Sequence, residues 1–327
     1  MRQLFAAVLL CAALPAHADE PISVALDWTP NTNHVGLYVA QAQGWFAEAG
    51  LDVEILPYTD TSSGTLVATG TAGFGIFSAV SFHSQRATGA DMTVVMAIVQ
   101  HETGRIVFNG ARQDIQRPAD LDGMIYAGFG SAWEDALISS IIRHDGGDGV
   151  FDTVTLGTSA YEALANGSVD FTLEVSTWEG VNSVLLNRPQ RAFRYSDFGV
   201  PDQHTTFLGA NATWLSANPD SARAFVQAAQ RGYAFAATNP EAAADILIRE
   251  TAGMLSNPEL VHASMRALVE GGYLQDAGEP VGLIDEEMMR NINGFLFDAG
   301  ILRDGDGNPL ATRPDLSDWF TNEYLLQ

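Results

Sequence analysis

Lysine is missing from the chain: all 16 of its Lys+Arg positions are arginine. Without a lysine amine, no Schiff base can form to pyridoxal phosphate or to a carbonyl substrate. Cysteine occurs once, at Cys11, inside a segment with the marks of an export leader. The processed chain is therefore expected to carry no disulfide, no thiolate metal site and no cysteine nucleophile. At 327 residues it can bury a core large enough to do without cross-links. Positive charge is scarce as well. The formal net charge of −24 argues against nucleic acid and anionic lipid as partners. Nowhere does an uncharged apolar run approach the ~20 residues that span a bilayer.

The N-terminus is a targeting segment and not part of the fold. Met1-Arg2-Gln3 is a short positive start, residues 4–14 are apolar and uncharged, and Pro15 ends the run. Ala16-His17-Ala18 is a small-x-small cleavage signal, so processing is expected after Ala18. Leu10, immediately before Cys11, is too bulky for a lipid-attachment site. These features predict an exported, soluble protein beginning at Asp19.

Strand and helix patterns alternate through the first two thirds of the chain. Strands are expected at 22–28, 53–57, 74–77 and 92–99, with helices at 34–49, 65–69 and 82–88 between them. The run at 92–99 is continuously apolar, as in a strand buried on both faces. A second alternating block follows, with strands at 124–127, 154–156, 170–175 and 191–195 and helices at 132–144, 161–165 and 178–186. After a last strand at 206–210 the chain turns helical, over 221–238, 241–250, 258–270 and 286–299. Two such blocks with a helical tail predict two α/β lobes. Lobe 1 is expected to comprise 19–108 and 207–327 and lobe 2 to comprise 109–206, with the chain crossing near Asn109 and Thr206. No internal repeat or low-complexity linker interrupts the pattern.

In open parallel sheets, ligands sit outside the carboxyl ends of the strands, and four of the loops there are unusually rich. The first holds Asp27, Trp28, Pro30, Asn31 and His34. The Trp28 face suits either core packing or stacking on a ligand, and the Asn side chains either cap the next helix or hydrogen-bond a solute. The second is Gly128-Phe129-Gly130-Ser131-Ala132-Trp133-Glu134. Its glycines and serine let backbone N–H groups approach an anion or a polar ligand edge. Trp133 stands where a dinucleotide fingerprint needs its third glycine. The third runs from Glu174 to Gly180 and includes Trp178. Glu174 sits among apolar strand neighbours and needs a partner if it is buried as an ion, whereas Glu179 reads as a first-turn helix residue. In the fourth, Ser78 and Ser81 either cap the helix or hydrogen-bond a ligand, and capping is the expected role.

These stretches carry a family resemblance. LDWTPNTNHVGLYVAQAQGWFAEAGLDVEI resembles the opening of the thiamin-pyrimidine family. That family groups periplasmic binding proteins for formylaminopyrimidine-type thiamin precursors with eukaryotic thiamin pyrimidine synthases. The likeness continues in AIVQH, YAGFGSAWEDAL, VDFTLEVSTWEG, DFGVPD and WFTNEYL, across nearly the whole processed chain. The resemblance implies a type II periplasmic binding protein, with two α/β lobes closing on a small heteroaromatic solute. It further implies an ABC permease at the inner membrane as partner, a periplasmic location, a monomeric state and no cofactor.

The family's enzymatic branch uses a lysine-bound pyridoxal phosphate, an active-site His and an iron-binding cysteine cluster. His34 occupies the His of the DWTPN-x-x-H pattern, but the lysine and the cysteines are absent. The other histidines form no H-x-x-x-H pair for zinc, and no G-x-S-x-G elbow is present. Asp304-Gly305-Asp306-Gly307-Asn308 opens like a calcium loop, but Pro309 and Asp315 stand at the two positions where such a loop needs Gly and Glu. The expected activity is therefore binding. An aminopyrimidine needs an aromatic face, from Trp28 with Trp133 or Trp178. It also needs a carboxylate to accept from its amine, Glu174 or Asp27, and amide or hydroxyl partners such as Asn31, Ser78, Ser131 and the backbone at Gly130. His34 completes the set. A synthase-like enzyme, or a binding protein for another heteroaromatic such as riboflavin, is the alternative.

Overall fold

The structure, a computed structural model, describes residues 20–326. The expected leader and its cleavage after Ala18 lie outside the described residues.

Among the described residues, ten strands form two separate five-stranded sheets. They are β1 (Glu20–Ala25), β2 (Leu51–Leu56), β3 (Phe74–Ser78), β4 (Thr93–Val99), β5 (Gly104–Asn109), β6 (Ile125–Gly128), β7 (Asp152–Thr155), β8 (Phe171–Val175), β9 (Gln190–Arg194) and β10 (Thr206–Ala210). The first sheet runs β2-β1-β3-β10-β4 and the second β7-β6-β8-β5-β9. The two orders are equivalent, and each sheet has one antiparallel strand in the same place, β10 in one and β5 in the other.

The antiparallel strands follow from how the chain changes sheet. β4 leaves the first sheet at its carboxyl end and continues through residues 100–103 directly into β5 of the second. The parallel strands of both sheets point their carboxyl ends at the space between them. A strand entering from the other sheet must therefore run away from that space. The same geometry repeats where β9 leads into β10. The chain thus changes sheet between Val99 and Gly104, ahead of Asn109, and again between Arg194 and Thr206. An extended crossing carries no turn residues to mark it.

The strand patterns account for position. All seven residues of β4 are buried, as its unbroken apolar run requires, while β2 alternates buried and exposed residues along its first half as an edge strand. Gly44, at φ +74°, splits the expected 34–49 helix into Val35–Ala42 and Trp45–Glu48. The 178–186 helix begins instead as a π-helical turn, Ser176–Gly180. A short helix at Ala212–Ala217, capped by Asn211, has too few periodic positions to stand out in sequence.

The helical tail fixes the first rich loop. Helix Pro219–Thr238 crosses Val35–Ala42 at Gly36 and Gly232, and Tyr233 donates from its hydroxyl to the Asn33 carbonyl at 2.7 Å. A Cβ on Gly232 would stand 1.9 Å from the Gly36 carbonyl oxygen. Gly232→Ala must therefore push two packed helices apart. It is expected to lower stability by about 1–3 kcal/mol, the usual cost of overpacking. A thermal or urea melt checks this, and an unchanged midpoint would contradict the close approach.

Candidate functional site

The carboxyl ends of β1, β3, β6 and β8 and the amino ends of β5 and β10 meet around a cavity of about 370 Å³ between the two sheets. That is within the ~300–1,000 Å³ range of small-molecule sites.

From β1 the wall receives Asp27, Trp28 and Asn31. His34 does not reach the cavity. It is fully buried behind Asp27, with Nε2 2.9 Å from Asp27 Oδ1. The Asn31 backbone N–H points at His34 Nδ1 over 3.3 Å, which makes Nδ1 the acceptor and Nε2 the donor to Asp27. His34 thus orients a wall carboxylate instead of touching a solute. Asn31 caps the turn Thr32–His34, accepting from the Asn33 N–H at 2.8 Å, and its Nδ2 donates to the Thr29 carbonyl at 3.1 Å. Trp28 is half-buried and meets Tyr58 at 5.4 Å between ring centroids. It also meets Phe129, in the loop just after β6, edge-on at 5.1 Å, so the two lobes touch through aromatic rings.

Ser78 ends β3, and its Oγ accepts from the Ser81 N–H at 3.2 Å. It caps helix Ala79–Ala87 while lining the cavity.

Ser131, Trp133 and Glu134 line the cavity from the β6 side. Gly130 does not; its φ of +83° makes the tight turn into helix Ala132–His144. The backbone N–H groups expected to meet a ligand already have a partner. Ser131 N–H donates to Glu134 Oε2 at 2.9 Å, and Phe129 N–H reaches both Glu134 oxygens at 3.2 and 3.3 Å. Burial raises the Glu134 pKa, and these amides oppose the shift.

Glu174 is 4% exposed and sits directly opposite Arg105 in the β5–β8 register. Arg105 Nε donates to Glu174 Oε1 at 2.5 Å, supplying the partner that a buried carboxylate requires. Burial nonetheless raises the Glu174 pKa, with Arg105 opposing. The second oxygen, Oε2, is buried without a hydrogen-bond partner, in a residue that lines the cavity. Trp178 lines the cavity from the π-helical turn and packs against the core of the first lobe. The Ser264 hydroxyl donates to the Thr177 carbonyl at 2.5 Å and lies 2.6 Å from Thr32 Oγ1, tying this turn to the first loop.

Glu179 sits beside Glu174 and Asp27. Burial, backed by those two charges, pushes its pKa from 4.5 up to about 7. A carboxyl shifted upward by folding stabilises the protein fully below its unfolded value and loses that contribution as pH rises through the folded value. The stability of the solute-free protein is therefore expected to fall between pH 4.5 and 7, and Glu179→Gln to remove part of that slope. Melting temperatures taken across this range check it; identical slopes in both proteins would contradict it.

Two crossing residues also reach the wall. Gln203 donates from Nε2 to Glu102 Oε2, and Gly104 N–H donates to Glu102 Oε1 at 2.5 Å. The Gln203 Oε1 atom is left buried and unpartnered. Sequence reasoning passed over Glu102 and Gln203 because no motif marks the crossings. It passed over Glu134 although its spacing from Ser131 is that of a capping box.

A family profile described as NMT1/THI5 like matches residues 31–243, well over half of the chain. The chain belongs to the NMT1/THI5-like family. Among related proteins is the formylaminopyrimidine-binding protein of Halalkalibacterium halodurans, 27% identical over 288 residues, covering 85% of each chain. The 4-amino-5-hydroxymethyl-2-methylpyrimidine phosphate synthase THI13 of Saccharomyces cerevisiae is 22% identical, over 68% of this chain and 69% of its own. Among solved structures, the ligand-binding component of an ABC-type import system from Staphylococcus aureus shares the fold. Its TM-score is 0.69 at 12% identity, over 93% of this chain and 97% of that one. This NMT1/THI5-like protein thus has the two-lobed α/β solute-binding fold expected from its sequence.

Proposed function

We propose that this NMT1/THI5-like protein is the solute-binding component of an ABC importer, exported to the periplasm, where it captures a thiamin-precursor pyrimidine of the formylaminopyrimidine or hydroxymethylpyrimidine type. The observation that carries the reading is a pair of buried acceptors in residues that line the cavity, Glu174 Oε2 and Gln203 Oε1, that have no partner within the protein. A buried acceptor without a donor costs ~1–3 kcal/mol. A solute bringing N–H groups to both atoms recovers that loss. Trp28, Phe129, Trp133 and Trp178 supply flat faces around the same space, as a heteroaromatic ring requires. A relative that binds formylaminopyrimidine supports this choice of solute.

A synthase using a lysine aldimine is excluded by composition, since the chain has no lysine. Nor do the described residues contain a cluster of three or more His, Cys, Asp or Glu side chains placed to hold a metal. Binding and delivery to a permease is the activity proposed, with the lobes formed by the two sheets and their helices. Native mass spectrometry of the protein purified from the periplasm tests the reading. The expected result is a bound aminopyrimidine mass released on denaturation; a bound anion or sugar would overturn it.

A further inference from the structure

We propose that Glu134 closes this cleft to anionic solutes by placing its own carboxylate on the backbone N–H groups that would otherwise receive an anion. The proposal rests on the cavity being the solute site and adds which class of solute it rejects. The turn at Gly130, with φ +83°, points the Phe129 and Ser131 amides to one spot at the start of helix Ala132–His144. Converging amides at a helix N-terminus form a ready anion site. Here Glu134, at 2% exposure, fills it from within the chain.

The rest of the wall agrees. Its ionisable side chains, tyrosines aside, are six carboxylates: Asp27, Asp60, Glu102, Glu134, Glu174 and Glu179. Among the described residues no arginine or histidine lines the cavity, and Arg105 is bound to Glu174. The unpartnered buried atoms of the cavity's lining residues, Glu174 Oε2 and Gln203 Oε1, are acceptors when Glu174 is ionised. A phosphate, sulfonate or carboxylate group would face these like charges, which costs several kcal/mol. The cleft therefore takes neutral or cationic, donor-rich solutes, and a phosphate ester of the same pyrimidine is turned away.

The test compares 4-amino-5-hydroxymethyl-2-methylpyrimidine with its phosphate monoester by calorimetry on the wild type, Glu134→Gln and Glu134→Ala. The wild type is expected to prefer the free alcohol by about 100-fold or more, from the cost of like charges. Glu134→Gln keeps a capping oxygen without its charge, and it should narrow the ratio about tenfold. Glu134→Ala, which vacates the amides, should narrow it further. Equal affinities in the wild type, or an undiminished ratio in a folded Glu134 variant, would overturn the proposal. Tryptophan fluorescence during sulfate titration supplies a reading that needs no pyrimidine. Saturable sulfate binding should be absent in the wild type and gained in Glu134→Ala, or in Glu134→Gln if the alanine variant does not fold. If neither pyrimidine binds, the proposed solute is wrong, and sulfate binding alone decides the role of Glu134: gain only in the variant upholds it, and any other pattern overturns it.

Discussion

A Glu174→Gln protein is expected to bind a 4-aminopyrimidine about 10- to 100-fold more weakly than the wild type, the range for losing a hydrogen bond to a charged group. The substitution keeps the shape of the wall and leaves one oxygen able to accept from Arg105. It replaces one acceptor oxygen of this wall residue with a donor, which then opposes the exocyclic amine. A solute without that amine should lose little. Glu174→Ala adds a second effect, because it strands the Arg105 guanidinium beside an emptied, buried site. Arg105 keeps 28% of its side chain exposed, so stranding it costs about 1–3 kcal/mol of stability, the range for an unsatisfied hydrogen-bonding group. Calorimetry on the Gln protein and a denaturant melt on the Ala protein separate the two. Unchanged solute affinity in the first, or an unchanged midpoint in the second, would contradict the assignment.

Trp28→Ala should weaken solute binding by roughly 1–3 kcal/mol, the range measured for an aromatic side chain stacked on a base. It should leave the melting temperature of the solute-free protein nearly unchanged. The side chain is half-buried and packs on Tyr58, itself 38% exposed, and on Phe129 across the cleft. That environment is unlike a sealed core, where truncating a Trp costs ~3–5 kcal/mol. Paired binding and stability measurements on one preparation distinguish these roles. A large loss of stability with normal affinity would make Trp28 a packing residue.

The alternating strand and helix patterns were legible because burial on a sheet or a helix face dictates periodicity, as the buried run of β4 and the edge alternation of β2 show. Pairing was not legible. Nothing local announces that β5 and β10 run antiparallel, since that direction is set by where the chain crosses between sheets. The same limit applied at the site. Glu174 could be recognised as a carboxylate needing a partner, but Arg105 lies 69 positions away and meets it only through strand register. His34 and Gly130 belong to motif-bearing loops, yet one is turned inward to hold Asp27 and the other only shapes a turn. Glu102 and Gln203 reach the wall because the crossings pass beside it, a fact of topology with no sequence signature.

The central claim is that the cavity holds a donor-bearing heteroaromatic ring between aromatic faces and unpartnered acceptors. Calorimetric titration of the solute-free wild-type protein with formylaminopyrimidine tests it most directly. The account predicts saturable one-to-one binding that is weakened in both Trp28→Ala and Glu174→Gln. Absence of binding to the wild type, or equal affinity in all three proteins, would contradict it.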